Sequence, residues 1–410
     1  MAPVRGEQNE DAGTGGPSTD SVRSTLRLTL TRGLGPILIA RLINRFGSAE
    51  RVADATPEQL AQTPGIGRTL AREIADGVDD AVIEREIAVA ASQGATILTL
   101  SDARYPPLLR LIPDPPPVLY VRGSFESDDV YGLAVVGTRR CSAYGRDQAG
   151  RLSAALAEHG FTIDSGGARG IDTESHRGAL RVHGRTVAAL GSGLARVYPE
   201  ENAPLFDRIV SEGQGAVISE FPMETRPSKE NFPRRNRIIA GLGLATLVIE
   251  AAEHSGALIT ARVACEDHNR DVMALPGRVD KPHAAGCHRM IREGWARLVT
   301  GVADIVETLE GAEYLVEAVR GTPVSRARPH RRPAPERSII EDDASRSETP
   351  LESLSESQRR IVDSLDGDPV ELDELAARTG LDIARLQADV TVLQIRGLIT
   401  RTTSRGVSRR

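Results

Sequence analysis

Seven short runs of aliphatic or β-branched residues, at 133–136, 162–164, 186–190, 216–219, 246–249, 272–275 and 297–299, alternate with segments of helical pattern, among them 146–159, 172–183 and 203–213. Few folds accept that alternation. A run apolar on both faces must be covered on both faces, and a strand reached through a helix returns parallel to its predecessor. The chain is read as α/β, an extended Rossmann-like, doubly wound, mostly parallel sheet with helices on both sides. In such sheets ligands bind beyond the carboxyl ends of the strands. Chemistry is therefore expected in the loops that leave those ends.

Three of those loops are rich in glycine. Gly137, Thr138 and Arg139 follow the first run; Ser165, Gly166, Gly167, Ala168, Arg169 and Gly170 follow the second; Gly191, Ser192 and Gly193 follow the third. Glycine lets the backbone approach an anion, a helix N-terminus offers free N–H groups, and an arginine adds a phosphate-matching fork. Each loop alone is more often a tight turn in an α/β sheet than a ligand site. None fits G-x-G-x-x-G with its downstream acid, and no G-x-x-x-x-G-K-[ST] occurs, so nucleotide hydrolysis has no Walker motif to rest on.

A fourth loop carries the strongest signal. Arg226, Lys229, Arg234, Arg235 and Arg237 crowd around Phe232 and Asn236, opposed by Glu230 alone, and the chain then enters a helix start and a buried strand at 246–251. Cations pair with phosphates and a flat ring stacks on an unstacked base, which is the composition of a single-strand nucleic acid groove. Net charge is −6, so the basicity is local; acidic residues gather near 76–86 and 336–356. Aromatics are only 3% of the chain, which makes a phenylalanine among arginines conspicuous.

The flanks read as separate modules. The domain boundaries expected are a disordered tail at 1–20, a small helical domain at 21–80, a connector at 81–125, the extended Rossmann domain at 126–312, a flexible linker at 313–356 and a winged-helix-like domain at 357–410. The helical domain contains Pro64-Gly65-Ile66-Gly67, either the hairpin of a helix-hairpin-helix (SAM-like) module or a turn in a small bundle. In the last domain, 372–379, Gly380 and 383–395 give a helix-turn-helix, with a wing starting near 397. Three cysteines, no apolar leader-like segment in the first twenty residues and no membrane-length apolar run lead to the expectation of a soluble, cytoplasmic protein with no membrane contact.

Catalytic and metal readings are thin. Ser165, Asp172 and His176 have the residue types of a hydrolytic triad, but no G-x-S-x-G elbow is present, and His176 is read as capping or packing a helix. Cys265 with His268, and Cys287 with His288, have poor zinc spacing, so a buried cysteine and a polar-face histidine are expected. Trp295 is read as core. No cofactor, no metal and no enzymatic activity are expected.

Taken together, VVGTRRCSAYG, SGGARGIDTESHRGAL, the tyrosine-proline step at 197–202, FPRRNRIIAGL, EAAEHSGALITA and ALPGRVDKPHAAGCHRMIREG resemble, in order, the signatures of DprA (Smf), the bacterial DNA-processing family, from about residue 105 to 309. The resemblance implies an extended Rossmann fold that binds single-stranded DNA without hydrolysing it, protects incoming strands, loads the recombinase RecA onto them and works as a homodimer. Carried over by motif, Arg139 contacts phosphate, Lys229 and Phe232 are the lysine and aromatic of a K-x-x-F pattern, and Arg237 belongs to the R-N-R that follows. The DNA-binding set so expected is Gly137, Thr138, Arg139, Gly166, Gly167, Arg169, Gly170, Lys229, Phe232, Arg235, Asn236 and Arg237. His288 and Trp295 depart from the family pattern. The alternative is a phosphoribohydrolase of the LOG type with a similar sheet, but LPGRVDKP lacks the second glycine, threonine and acid of P-G-G-x-G-T.

Overall fold

The computed structural model describes residues 19–320, 354–365, 370–401 and 406–409. The expected tail up to residue 18 and the expected linker from 321 to 353 lie outside the described residues. The chain divides into two units, residues 1–105 with 116–120, and residues 106–115 with 121–410.

The first unit is helical. Helices α1 (Thr19–Leu30), α2 (Pro36–Phe46), α3 (Ala49–Ala53), α4 (Pro57–Leu60), α5 (Arg68–Asp76) and α6 (Asp80–Ser92) precede strand β1 (Ala95–Thr99). Leu28, Ile39, Leu42, Val52, Leu60 and Ile74 close its core. Prolines stand in the first turns of α2 and α4, where the missing N–H costs nothing, and Thr56 with Gln59 forms a capping box on α4.

The second unit holds the sheet. After α7 (Pro107–Arg110) and β2 (Val118–Gly123, of which 121–123 belong here) come β3 (Gly132–Val136), α8 (Ala143–Glu158), β4 (Thr162–Ser165), α9 (Ile171–Arg181), β5 (Thr186–Ala189), α10 (Ala203–Ser211) and β6 (Gly215–Ser219). They are followed by α11 (Asn231–Leu242), β7 (Ala245–Val248), α12 (Ala257–Arg262), β8 (Asp271–Ala274), α13 (Ala285–Arg292), β9 (Arg297–Leu298), α14 (Val302–Glu310) and α15 (Glu313–Arg320). Strands β6-β5-β4-β3-β7-β8-β9 lie side by side in that order, all parallel. From β3 the chain winds outward through β4 to β6, then returns to β3's other side with β7. The β3–β7 boundary is therefore the topological switch point, where the crossover helices diverge and leave a crevice. The seven expected runs are these strands; Val135, Leu247 and Met273 are completely buried within them.

Three expectations are corrected. Residues 231–242, read as a cationic loop with a helix start, are helix α11 from Asn231 onward, because a proline is tolerated in a first turn and Ile238, Ile239, Ala240 and Leu242 bury one face. Glu313–Arg320, placed in the linker, continues the domain as α15, with Leu315 and Val316 in the sheet core. Trp295 is half-buried, its indole N–H donating to Glu293 at 3.0 Å.

The C-terminal module contains α16 (Glu356–Asp363), β10 (Val370–Glu371), α17 (Leu372–Thr379), α18 (Ile383–Ile395), β11 (Ile399–Arg401) and β12 (Gly406–Arg409), its three strands antiparallel in the order β10-β12-β11. This is a winged helix. Its own core takes Leu386, Val390 and Leu393 from α18. The other side of α18 packs along α14, where Val392 joins the sheet core and the Thr391 hydroxyl donates to Glu310 at 2.8 Å. Arg396 is buried over the Tyr131 ring and donates to the Gly160 carbonyl at 3.3 Å.

Candidate nucleic-acid interface

Four segments meet at the switch point around a cavity of about 790 Å³. The loop after β3 supplies Gly137, Thr138, Arg139 and Arg140; α9 supplies Asp172; the approach to α11 supplies Lys229 and the helix itself Phe232, Arg235 and Asn236; and the segment after β7 supplies Ala252 to Ala257. Backbone hydrogen bonds hold these walls. Thr138 N–H donates to Glu250 O at 2.7 Å, and the Glu250 carboxylate accepts from Ser142 N–H and its hydroxyl at 2.8 and 2.7 Å. Gly170 has φ +80°, and a Cβ there would strike the carbonyl oxygens of Thr138 and Arg139, so only glycine lets the second glycine loop close on the first.

The helical state of α11 redistributes its cations. At about 100° per residue, neighbouring side chains leave a helix in different directions, so the charge cluster legible in sequence is dispersed in space. Arg235 points inward and is 3% exposed. Its guanidinium donates to the carbonyl oxygens of Gly166 and Ala189, joining the ends of β4 and β5. Arg237 turns away from the cavity to pair with Glu220 and, at 3.2 Å, with Asp114, all three partly or wholly buried. Arg235 and Arg237 were expected to contact DNA. The structure gives Arg235 a clamping position in the cavity floor and places Arg237 outside the cavity. Asn236 is buried against it.

Phe232 lines the cavity. It is half-buried, packed so close to Gly191 that a Cβ there would overlap the ring, and the Arg139 guanidinium lies over it 4.8 Å from the centroid. Arg139, Arg140 and Lys229 are exposed on the wall of the cavity. Arg169 lies beside it, in an ion pair with Glu201. Gly166 and Gly167 shape the second loop: Gly166 lines a small niche next to Phe232, and the Gly167 carbonyl accepts from Asn202 at 2.9 Å.

Burial sets the electrostatics of the floor. It pushes the Asp172 carboxyl up to about 6, against the opposing pull of Arg235, the Ala168 N–H and Arg139, and brings Arg235 down to about 10. Ser165, Asp172 and His176 form no triad. The Ser165 hydroxyl donates to Val135 O at 2.6 Å, and Asp172 accepts from Ala168 N–H. His176 is wholly buried with Nδ1 2.7 Å from the Thr186 hydroxyl, and burial takes its pKa down to about 3. His288 Nε2 stands 3.0 Å from the Gly277 carbonyl, a local loop contact.

Sequence reasoning missed the wall after β7, including Glu253, His254 and Ser255. It follows the strand beside β3 and could have been found by the carboxyl-end rule already applied to the glycine loops.

Residues 96–310, which include every cavity residue named above, match the family model described as DNA recombination-mediator protein A. The chain belongs to that family. Its winged helix matches the DprA winged-helix model over residues 345–403, and residues 26–80 match a SAM-like helix-hairpin-helix tandem, so the DprA (Smf) resemblance and the three-module fold are shown. Protein Smf of Synechocystis sp. is 35% identical over 393 residues, covering 90% of this chain and 94% of that protein. The DNA processing protein DprA of Bacillus subtilis is 37% identical over 228 residues, covering 55% and 75%. Among solved structures, DNA processing protein A of Streptococcus pneumoniae superposes with a TM-score of 0.61 at 34% identity, covering 70% of this chain and 97% of that one. No helix among the described residues is long and apolar enough to cross a membrane.

Proposed function

We propose that this family member binds single-stranded DNA in the switch-point cavity without cleaving it, protects the strand and loads the recombinase RecA onto it, working in the cytoplasm as a homodimer in the recombination of incoming DNA. One observation carries the reading: exposed Arg139, Arg140 and Lys229 share a single cavity with the half-buried Phe232 ring. Exposed cations that outnumber the cavity's two acids, Asp172 and Glu253, suit phosphates, and an accessible ring suits a base freed from its partner strand. The Ser165 hydroxyl, which a hydrolase would use, is committed to the Val135 carbonyl, and His176 is wholly buried with Nδ1 on Thr186.

The test is a salt titration of binding to a labelled single-stranded oligonucleotide, wild type beside the double variant Lys229→Ala/Phe232→Ala. Affinity that falls with salt and is lost in the variant supports the cavity. A preference for duplex at matched salt, or no binding by the wild type, overturns the reading. RecA loading is then followed as the rate of filament assembly on strands already covered by the protein, and the homodimer by sedimentation.

A further inference from the structure

Beyond Phe232 the cavity wall continues as a ladder of rings and cations. The Tyr198 ring, half-buried in the turn before Glu200–Asn202, lies 5.8 Å from the Phe232 ring at an interplanar angle of 49°. The Arg169 guanidinium lies over Tyr198 at 5.9 Å, as Arg139 lies over Phe232 at 4.8 Å. Arg169 is in turn gripped by Glu201 through both of its nitrogen–oxygen pairs, Nη2 to Oε2 at 2.6 Å, with both side chains about half exposed. A niche of about 10 Å³ separates the two ring–cation pairs, lined by Arg139, Gly166, Ala168, Arg169, Tyr198 and Phe232 among others. It shares Arg139 and Phe232 with the large cavity.

Each ring therefore carries a guanidinium where a base would stack. A base on a ring is the stronger of the two contacts at an accessible site, so an arriving strand displaces the cations. A displaced guanidinium then finds phosphate, which matches its fork as a carboxylate does. Glu201 already occupies that fork on Arg169, and an exposed ion pair of this kind exchanges readily. We infer that Tyr198 is a second base-stacking ring beside Phe232, and that Glu201 holds Arg169 in place of a DNA phosphate until the strand arrives.

This rests on the single-strand reading above, and the experiment separates the two. Binding of a labelled oligothymidylate is titrated with salt for the wild type, Phe232→Ala, Tyr198→Leu, Tyr198→Phe, Glu201→Gln and Arg169→Ala/Glu201→Gln. Tyr198→Leu is expected to lose roughly 10-fold in affinity with the salt slope unchanged, while Tyr198→Phe keeps wild-type affinity. Glu201→Gln, a change on an exposed side chain that folding does not depend on, is expected to tighten binding and steepen the slope by about 0.7; adding Arg169→Ala removes that gain. Unchanged affinity in Tyr198→Leu, or an unchanged slope in Glu201→Gln, while Phe232→Ala remains impaired, overturns the inference and leaves the single-strand reading standing. Absence of binding by the wild type overturns both.

Discussion

Arg235 donates from one guanidinium nitrogen to the carbonyl oxygens of both Gly166 and Ala189, so a side chain from α11 ties the ends of β4 and β5 together beneath the cavity. Removing it leaves two buried carbonyls without that donor and the Asp172 carboxyl without the opposing pull of a nearby positive charge. Truncating one member of a buried charged network costs about 3–5 kcal/mol. Arg235→Ala is expected to lower stability by that order in denaturant titration. Whatever DNA binding survives should keep the wild-type salt slope, since this cation does not face phosphate.

Phe232 and its cationic neighbours make separable contributions. Phe232→Ala removes a stacking face and is expected to cost about 1–3 kcal/mol of binding with little change in salt slope. Lys229→Ala and Arg139→Ala each remove one phosphate neutralisation, so each should flatten the slope by about 0.7. Arg237→Ala should leave the slope alone, because Arg237 is engaged with Glu220 and Asp114. Equal flattening by all four variants would assign Phe232 and Arg237 the same role as Lys229.

The sheet was legible because its signal is a period. Strands buried on both faces must be apolar throughout, and that constraint is local enough to read residue by residue. The winged helix was legible for the same reason: residues 372–379 and 383–395 are α17 and α18 as expected. The site was legible only in part. Arg139, Lys229 and Phe232 line the cavity, but adjacency in sequence concealed that Arg235, Asn236 and Arg237 stand at successive angles on a helix. Buried clamp and exposed ligand are both arginine, and only the carbonyls of Gly166 and Ala189, 69 and 46 residues away, distinguish them. Tyr198 was legible as part of the tyrosine-proline step but not as a stacking ring, because its neighbour Phe232 is 34 positions distant.

Asp172 makes the cavity sensitive to pH. Its carboxyl is raised by burial to about 6 from an unfolded value of about 3.9. The native state thus holds more protons than the unfolded state between those values. Stability falls as pH rises through that window and is level above it, a contribution of about 3 kcal/mol in all. In the folded state His176 stays neutral through that window, held to about 3 by burial, but the unfolded chain protonates it below about 6.5, so its contribution to stability rises with pH and opposes that of Asp172. A phosphate nearby opposes the carboxylate, so single-strand affinity should rise as pH drops from 7.5 to 5.5, with proton uptake on binding. Asp172→Asn, which keeps an oxygen for the Ala168 N–H, should bind with a flatter pH profile. An identical profile in the variant would exclude Asp172 as the source of the dependence.

The winged helix uses α18 against its own chain. In a helix-turn-helix, the second helix is the one that enters the major groove. Here Ala388, Thr391 and Val392 on α18 are buried, with Val392 in the sheet core and Thr391 on Glu310 of α14. Around them Gln358 donates to the His159 carbonyl at 3.0 Å and to Asp389 at 3.2 Å. These contacts dock one side of α18 on its own chain, while Ile383 and Arg385 in its first turn stay exposed. Val392→Asp places an unpaired charge in that core, a change worth more than about 3 kcal/mol, which exceeds what one docked face is expected to tolerate. Hydrogen exchange should then show loss of protection in α14 and in the docked side of α18, while α17, held by Leu375 in the module's separate core, stays protected. Uniform loss across α16, α17 and α18 would mean that the winged helix folds only against the sheet domain, and docking would be part of its fold and not a separable contact.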